Sequence, residues 1–215
     1  MLLSDLKGKH DGGTIYVLGS GKSVEFYDPE FFSDKLIVAT NQGWSNWLPR
    51  VNYMVTKYHQ IARDWCKSER IELLIVSRGQ SGQLNEVIED SDDWIVFEHE
   101  ANKTADFGAQ HFPDEGLVVS YSTITSAMHL AALMGARHIV MVGADCGWLD
   151  DDSQVTGHPN SLRNHEYPFY FDIQNRIVAD ILRTRFGCSV SSMLPFVTPN
   201  MEGHKFVSPF GALNA

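Results

Sequence analysis

Thr14-Ile15-Tyr16-Val17-Leu18-Gly19-Ser20-Gly21-Lys22-Ser23, residues 14–23, is the stretch on which the fold turns. Residues 14–18 have the length and the β-branched and aromatic content of a buried strand, and Gly19 and Gly21 stop it abruptly. Glycines at that position let the backbone bend sharply and bring its amides close to a phosphate or a sugar. Lys22 and Ser23 add a cation and a hydroxyl, so Gly19, Ser20, Gly21, Lys22 and Ser23 are candidate ligand contacts, although the same pattern also serves as a plain structural turn. The turn is not a P-loop, which would need glycine where Tyr16 stands. Nor is it a dinucleotide fingerprint, which would need glycine in place of Val24.

Working outward, further β-rich runs occur at Leu36 to Thr40, Tyr53 to Thr56, Leu73 to Val76, Trp94 to Phe97, Leu117 to Ser120, His138 to Val142 and Cys188 to Ser191. Several lack alternation, as strands covered on both faces do. Between them, Thr123 to Met134 predicts a helix with Met128, Ala131, Ala132 and Leu133 on its apolar face and Gly135 as its stop. Phe171 to Phe186 predicts a second, with Ile173, Ile177, Val178, Ile181 and Leu182 on one side and Gly187 after it. Strands alternating with helices imply crossovers and a parallel sheet. The expectation is a Rossmann-like α/β fold: a mostly parallel sheet with helices on both faces, one domain over residues 1–215, and an active-site loop at 145–167.

In open parallel sheets ligands bind at the carboxyl ends of the strands, which selects further candidates. Asn41 and Gln42 follow the second strand, where Asn41 offers both a donor and an acceptor to a base or ribose, or else closes an Asx-type turn. Gly143 and Asp145 follow strand His138 to Val142, and Asp145 either orients a ligand hydroxyl or caps a turn. Ser120, Ser122, Thr123, Thr125 and Ser126 gather hydroxyls before the apolar helix, a pattern suited to an anion; Ser122 and Thr123 lead it, and simple capping accounts for one of them. In the long loop, His158 and His165 have the near-neutral pKa of a general base. Asp150, Asp151 and Asp152 have the chemistry of a divalent-cation site but more often form a solvated face, so no metal is assigned. Trp148 is a candidate for stacking on a sugar or base, whereas Trp44 and Trp47 fit ordinary packing. No GxSxG elbow of a serine hydrolase occurs.

Composition narrows the function. With 27 acidic against 17 basic residues and a formal charge of −10, the chain has no broad field to gather the phosphates of a long nucleic acid. A small anionic ligand remains compatible, because backbone amides and local cations hold it whatever the net charge. Cys66, Cys146 and Cys188 are widely spaced and odd in number, which fits a reducing compartment; with no signal-like or membrane-spanning apolar run, the expectation is a cytoplasmic chain. Homo-oligomerisation stays open.

The order of these motifs resembles the bacterial sialyltransferases of the Campylobacter lipooligosaccharide type: a strand followed by GxGxS, a strand ending in Asn-Gln, then the serine-rich helix from Ser122 and the strand His138 to Val142 with Gly143-Ala144-Asp145. The related MptE-like and Maf flagellin-glycosylation proteins share the pattern. The resemblance implies a single Rossmann-like domain that binds a CMP-sugar donor, transfers the sugar to a glycan acceptor, and needs no metal cofactor. It places Gly19, Gly21 and Ser23 at the nucleotide phosphate, Asn41 at the nucleotide, Ser122 and Thr123 at the donor's anionic groups, and His165 as the general base. That family supplies a tyrosine pair ahead of its histidine, whereas Asp145 to Asn164 contains no tyrosine and Tyr167 and Tyr170 follow it. The MptE-like relatives imply instead an ATP-dependent pterin pyrophosphokinase, in which Mg²⁺ would engage Asp145 with Asp150 to Asp152. A non-catalytic nucleotide-binding protein is the remaining alternative.

Overall fold

The computed structural model describes residues 1–80, 83–101, 116–120, 122–156, 166–193 and 203–208. In chain order the strands are β1 (Thr14–Leu18), β2 (Ile37–Thr40), β3 (Val51–Thr56), β4 (Ile71–Ser77), β5 (Gly79–Gln80), β6 (Gln83–Val87), β7 (Ile95–Phe97), β8 (His99–Ala101), β9 (Leu117–Val119), β10 (His138–Val142), β11 (Trp148–Leu149), β12 (Ser189–Met193) and β13 (Phe206–Val207). The helices are α1 (His59–Trp65), α2 (Thr123–Leu133) and α3 (Glu166–Phe186). Among the described residues seven strands pair in the order β12-β10-β1-β2-β3-β4-β7, every neighbour parallel. This is the expected Rossmann-like α/β architecture.

Period-two side-chain alternation splits the core into two clusters, one on each face of the sheet. Ile15 and Val17 of β1, Val38 of β2, Val55 of β3, Ile75 of β4 and Ile139 of β10 face α2 and α3 through Met128, Leu130, Val178 and Leu182. Their neighbours Leu18, Ala39, Met54, Val76 and Val142 face the other side, covered by Val24, Phe32, Trp44 and Ala62. That second cover is built from α1 and the 3₁₀ turns Lys22–Phe26, Pro29–Phe32 and Gly43–Asn46 rather than from long helices.

Several elements differ from the sequence expectation. Helix α2 is buried around nearly its whole circumference, His129 included, because the sheet, α3 and β9 each cover part of it. The expected single apolar stripe is therefore too narrow. Strand β9 does not join the main sheet but pairs in parallel with β8 in a separate ladder. Helix α3 begins at Glu166, so Glu166 and Tyr167 belong to it and not to the loop expected at 145–167. Its buried face also includes Gln174 and Asn175, polar residues outside the apolar pattern. Gly135 at φ +90 and Gly187 at φ +69 end α2 and α3 in the left-handed region, where glycine carries no Cβ penalty. No described helix is long and apolar enough to cross a membrane.

Candidate functional site

After β1 the chain moves to β2 on one side and later returns through α2 to β10 on the other, so the order of strand addition reverses between β1 and β10. Such a switch point opens a crevice at the carboxyl ends of the strands. A cavity of about 390 Å³ lies there, walled by Ser20 and Gly21 after β1, Thr40, Asn41 and Gln42 at the end of β2, Ser122, Thr123 and Ile124 at the start of α2, and Gly143 to Gly147 after β10. Four stretches remote in sequence thus meet around one space.

The glycine turn owes its shape chiefly to packing. The Gly19 amide donates to the Val142 carbonyl and the Gly21 amide to the Gly143 carbonyl, both at 2.8 Å, so the β1–β10 ladder runs on into the turn. A Cβ on Gly19 would lie 2.4 Å from the Gly143 oxygen, and one on Gly143, itself at φ +63, would lie 2.3 Å from Val24 Cγ1. Lys22 turns away from the cavity: its ammonium pairs with Glu25 at 2.8 Å, donates to Thr156 Oγ1 at 2.9 Å, and has Asp152 at 3.8 Å. Ser23 is buried and donates to Asp145 from its amide at 2.8 Å and from its hydroxyl at 2.5 Å. Gly19, Lys22 and Ser23 are therefore absent from the described cavity wall, whereas Ser20 and Gly21 belong to it.

At the end of β2, Asn41 holds a left-handed backbone, φ +52, a conformation that asparagine tolerates better than most residues. Its Oδ1 accepts from Thr56 Oγ1 at 2.9 Å, leaving Nδ2 as its remaining donor. Gln42 Oε1 is buried with no hydrogen-bond partner among the described residues. Most of the hydroxyl cluster before α2 is structural. Ser126 donates to the Val118 carbonyl at 2.6 Å, Ser120 and Thr125 bond each other at 2.8 Å, and Ser122 caps the helix by accepting from the Ile124 amide at 3.2 Å. Capping thus accounts for Ser122 alone, and Ser120, Thr125 and Ser126 are engaged because the loop folds back on the strand it leaves. Ser122 and Thr123 remain at the cavity.

Asp145 is half-buried and is the one carboxylate in the described wall, which holds no lysine, arginine or histidine. Burial pushes its carboxyl above the ordinary range, and the two donors of Ser23 pull it back in part. Cys146 beside it, also left-handed at φ +50, has its thiol pushed up to about 12 by burial and by the nearby Asp172 and Asp145 carboxylates, so it is no thiolate nucleophile at neutral pH.

Other wall residues escaped sequence reading. Tyr58, Gln60 and Ile61 enter from the start of α1, Phe171 from α3, and Ser153 and Gln154 from the segment after β11. The signal for the first three was available, since they follow the carboxyl end of β3. Lys57 is fully buried there and donates to the Ser120 carbonyl at 2.7 Å. Residues 153–156 are tied across the turn by Ser20 Oγ to Gln154 at 2.5 Å, the Val155 amide to the Ser20 carbonyl at 2.7 Å, and the Thr156 amide to Glu25 at 2.5 Å. Trp148, expected to stack on a ligand, is instead buried in β11, where it pairs with Val207 of β13. Trp44 and Trp47 pack in the core, as expected.

Tyr121, His158 and His165 lie outside the described residues. The carboxylates that Mg²⁺ would need are dispersed: Asp145 is engaged by Ser23, while Asp150 accepts from the Lys205 amide at 2.8 Å and pairs with His204 at 2.7 Å. Among the described residues no three histidine, cysteine or carboxylate side chains gather as a metal site. Compared with protein-family models, with curated proteins and with solved structures, the chain matches none.

Proposed function

We propose that this domain binds a nucleotide-sugar, a CMP-sugar by preference, and transfers the sugar to an acceptor hydroxyl. The observation that carries this reading is the convergence of residues 20–21, 40–42, 122–124 and 143–147 on one cavity at the switch point. Its amide and hydroxyl groups suit the edges of a base and the hydroxyls of ribose or sugar, and Tyr58 and Phe171 add aromatic surface. A space of about 390 Å³ is within the size of small-molecule sites. In the reaction the acceptor oxygen bonds to the anomeric carbon as the bond from that carbon to the phosphate oxygen breaks. The acceptor proton passes to the general base, assigned by resemblance to His165, and CMP departs from the opposite face with inversion.

A thermal-shift screen of CMP, CDP, UDP, ATP and CMP-sialic acid, each with and without Mg²⁺, tests the proposal. A ligand that binds only the native state raises its stability by mass action. Stabilisation by cytidine nucleotides without Mg²⁺ is the expected result. A response to ATP alone, and only with Mg²⁺, would transfer the assignment to the pyrophosphokinase; silence from every nucleotide would remove both.

A further inference from the structure

The glycine turn has the outline of a phosphate cradle, but three of the five amides from Gly19 to Ser23 are already engaged. Two of its amides, those of Gly19 and Gly21, donate to β10 carbonyls, and a third, that of Ser23, donates to Asp145. The turn's cation, Lys22, is held by Glu25 and Thr156. A carboxylate lies against the turn: a Cβ on Gly21 would sit 2.7 Å from both Cγ and Oδ2 of Asp145. A phosphate brought there would meet the Asp145 carboxylate, with no cation in the described wall to offset it.

A carboxylate is nevertheless a capable acceptor. Its two oxygens offer about four lone-pair directions, and Ser23 takes one on each oxygen. The remaining directions belong to a group that borders the cavity. From this arrangement we infer that the glycine-turn end of the cavity binds a pair of neighbouring ligand hydroxyls through Asp145, and not the ligand's phosphate. The inference rests on the nucleotide-sugar reading and specifies it: the ligand enters with its ribose or its sugar hydroxyls against Asp145. Asp145 is then a specificity-determining residue, and Lys22, held by Glu25 and Thr156, has no part in binding.

The test is the affinity of the full chain for CMP, 2′-deoxy-CMP and CMP-sialic acid, measured by calorimetry for wild type, Asp145→Asn and Lys22→Met. Loss of a hydrogen bond to a charged acceptor weakens binding about tenfold or more. The expected result is such a loss in Asp145→Asn, with less than about a twofold change in Lys22→Met. If the ribose is the source, wild type prefers CMP over 2′-deoxy-CMP and Asp145→Asn erases the preference. If the sugar is the source, only CMP-sialic acid weakens. Unchanged affinities in a folded Asp145→Asn protein, or a tenfold loss in Lys22→Met, would overturn the inference while leaving nucleotide binding intact. Silence of the wild-type protein towards all three ligands would remove the nucleotide-sugar reading, and this inference with it. Should Asp145→Asn fail to fold, Ser23→Ala decides, because it frees one lone pair of the carboxylate: affinity at least equal to wild type supports hydroxyl binding by Asp145, and a tenfold loss overturns it.

Discussion

Asp145 and Ser23, 122 residues apart in the chain, are joined by two hydrogen bonds, one from the Ser23 amide and one from its hydroxyl. This pair ties the turn after β1 to the turn after β10, the two edges of the crevice in which the cavity lies. The carboxylate therefore has a structural task as well as its place at the cavity, and the two separate experimentally.

Ser23→Ala removes the hydroxyl donor and keeps the amide one. Hydrogen bonds to a charged acceptor contribute about 1.5–3 kcal/mol, and the partly satisfied carboxylate retains some solvent contact, so the expected loss is near the lower figure, about 1–2 kcal/mol. Urea denaturation reads it as a lower midpoint at unchanged slope. A midpoint equal to wild type would mean that the Ser23 amide alone holds Asp145.

Gly143 in the crevice and Gly187 at the end of α3 differ in what surrounds them. Gly143→Ala places a Cβ in the left-handed region and 2.3 Å from Val24 Cγ1, in a buried setting that cannot give way freely, so a loss of about 2–4 kcal/mol is expected. Gly187 has a similar φ, +69, but nothing within 4 Å of an added Cβ. Gly187→Ala should cost only about 1 kcal/mol, the backbone part alone. Equal thermal shifts for the two variants would refute the packing account of Gly143.

His129 on α2 is buried, and its Nδ1 accepts from the Val118 amide at 3.1 Å, a bond that requires the neutral ring. Burial, with a smaller contribution from Arg185, pushes its pKa down to about 3 from 6.5. Below pH 6.5 the unfolded chain therefore binds this proton before the folded one does. The stability contribution of the neutral ring is complete above that pH and is lost as pH falls towards 3, at about 1.4 kcal/mol per pH unit. His129→Gln, which keeps an acceptor but does not titrate, should flatten the stability–pH curve between pH 6 and 4 by about that slope. Parallel curves for variant and wild type would show that the ring is already charged in the native state.

The primary sequence alone determined the architecture. Residues 14–18, 36–40, 53–56, 73–76 and 138–142 carry enough apolar, β-forming side chains to require cover on two faces, and the helices with glycine stops at Gly135 and Gly187 supply it on one of them. The carboxyl-end rule points to Ser20, Asn41 and Asp145, because strand direction in a parallel sheet places these turns at one edge, and the free amides at a helix start point to Ser122. What only the tertiary structure decided is how each polar group is used. The engagement of Ser23 by Asp145, the hydrogen bond of Lys22 to Thr156 and the pairing of Trp148 in β11 with Val207 in β13 all join segments far apart in the chain. Phe171 likewise reaches the cavity only because α3 packs beside it. Local pattern reports which side chains can make hydrogen bonds and where a strand ends; which partner claims each bond is settled by three-dimensional proximity, to which period and propensity carry no signal.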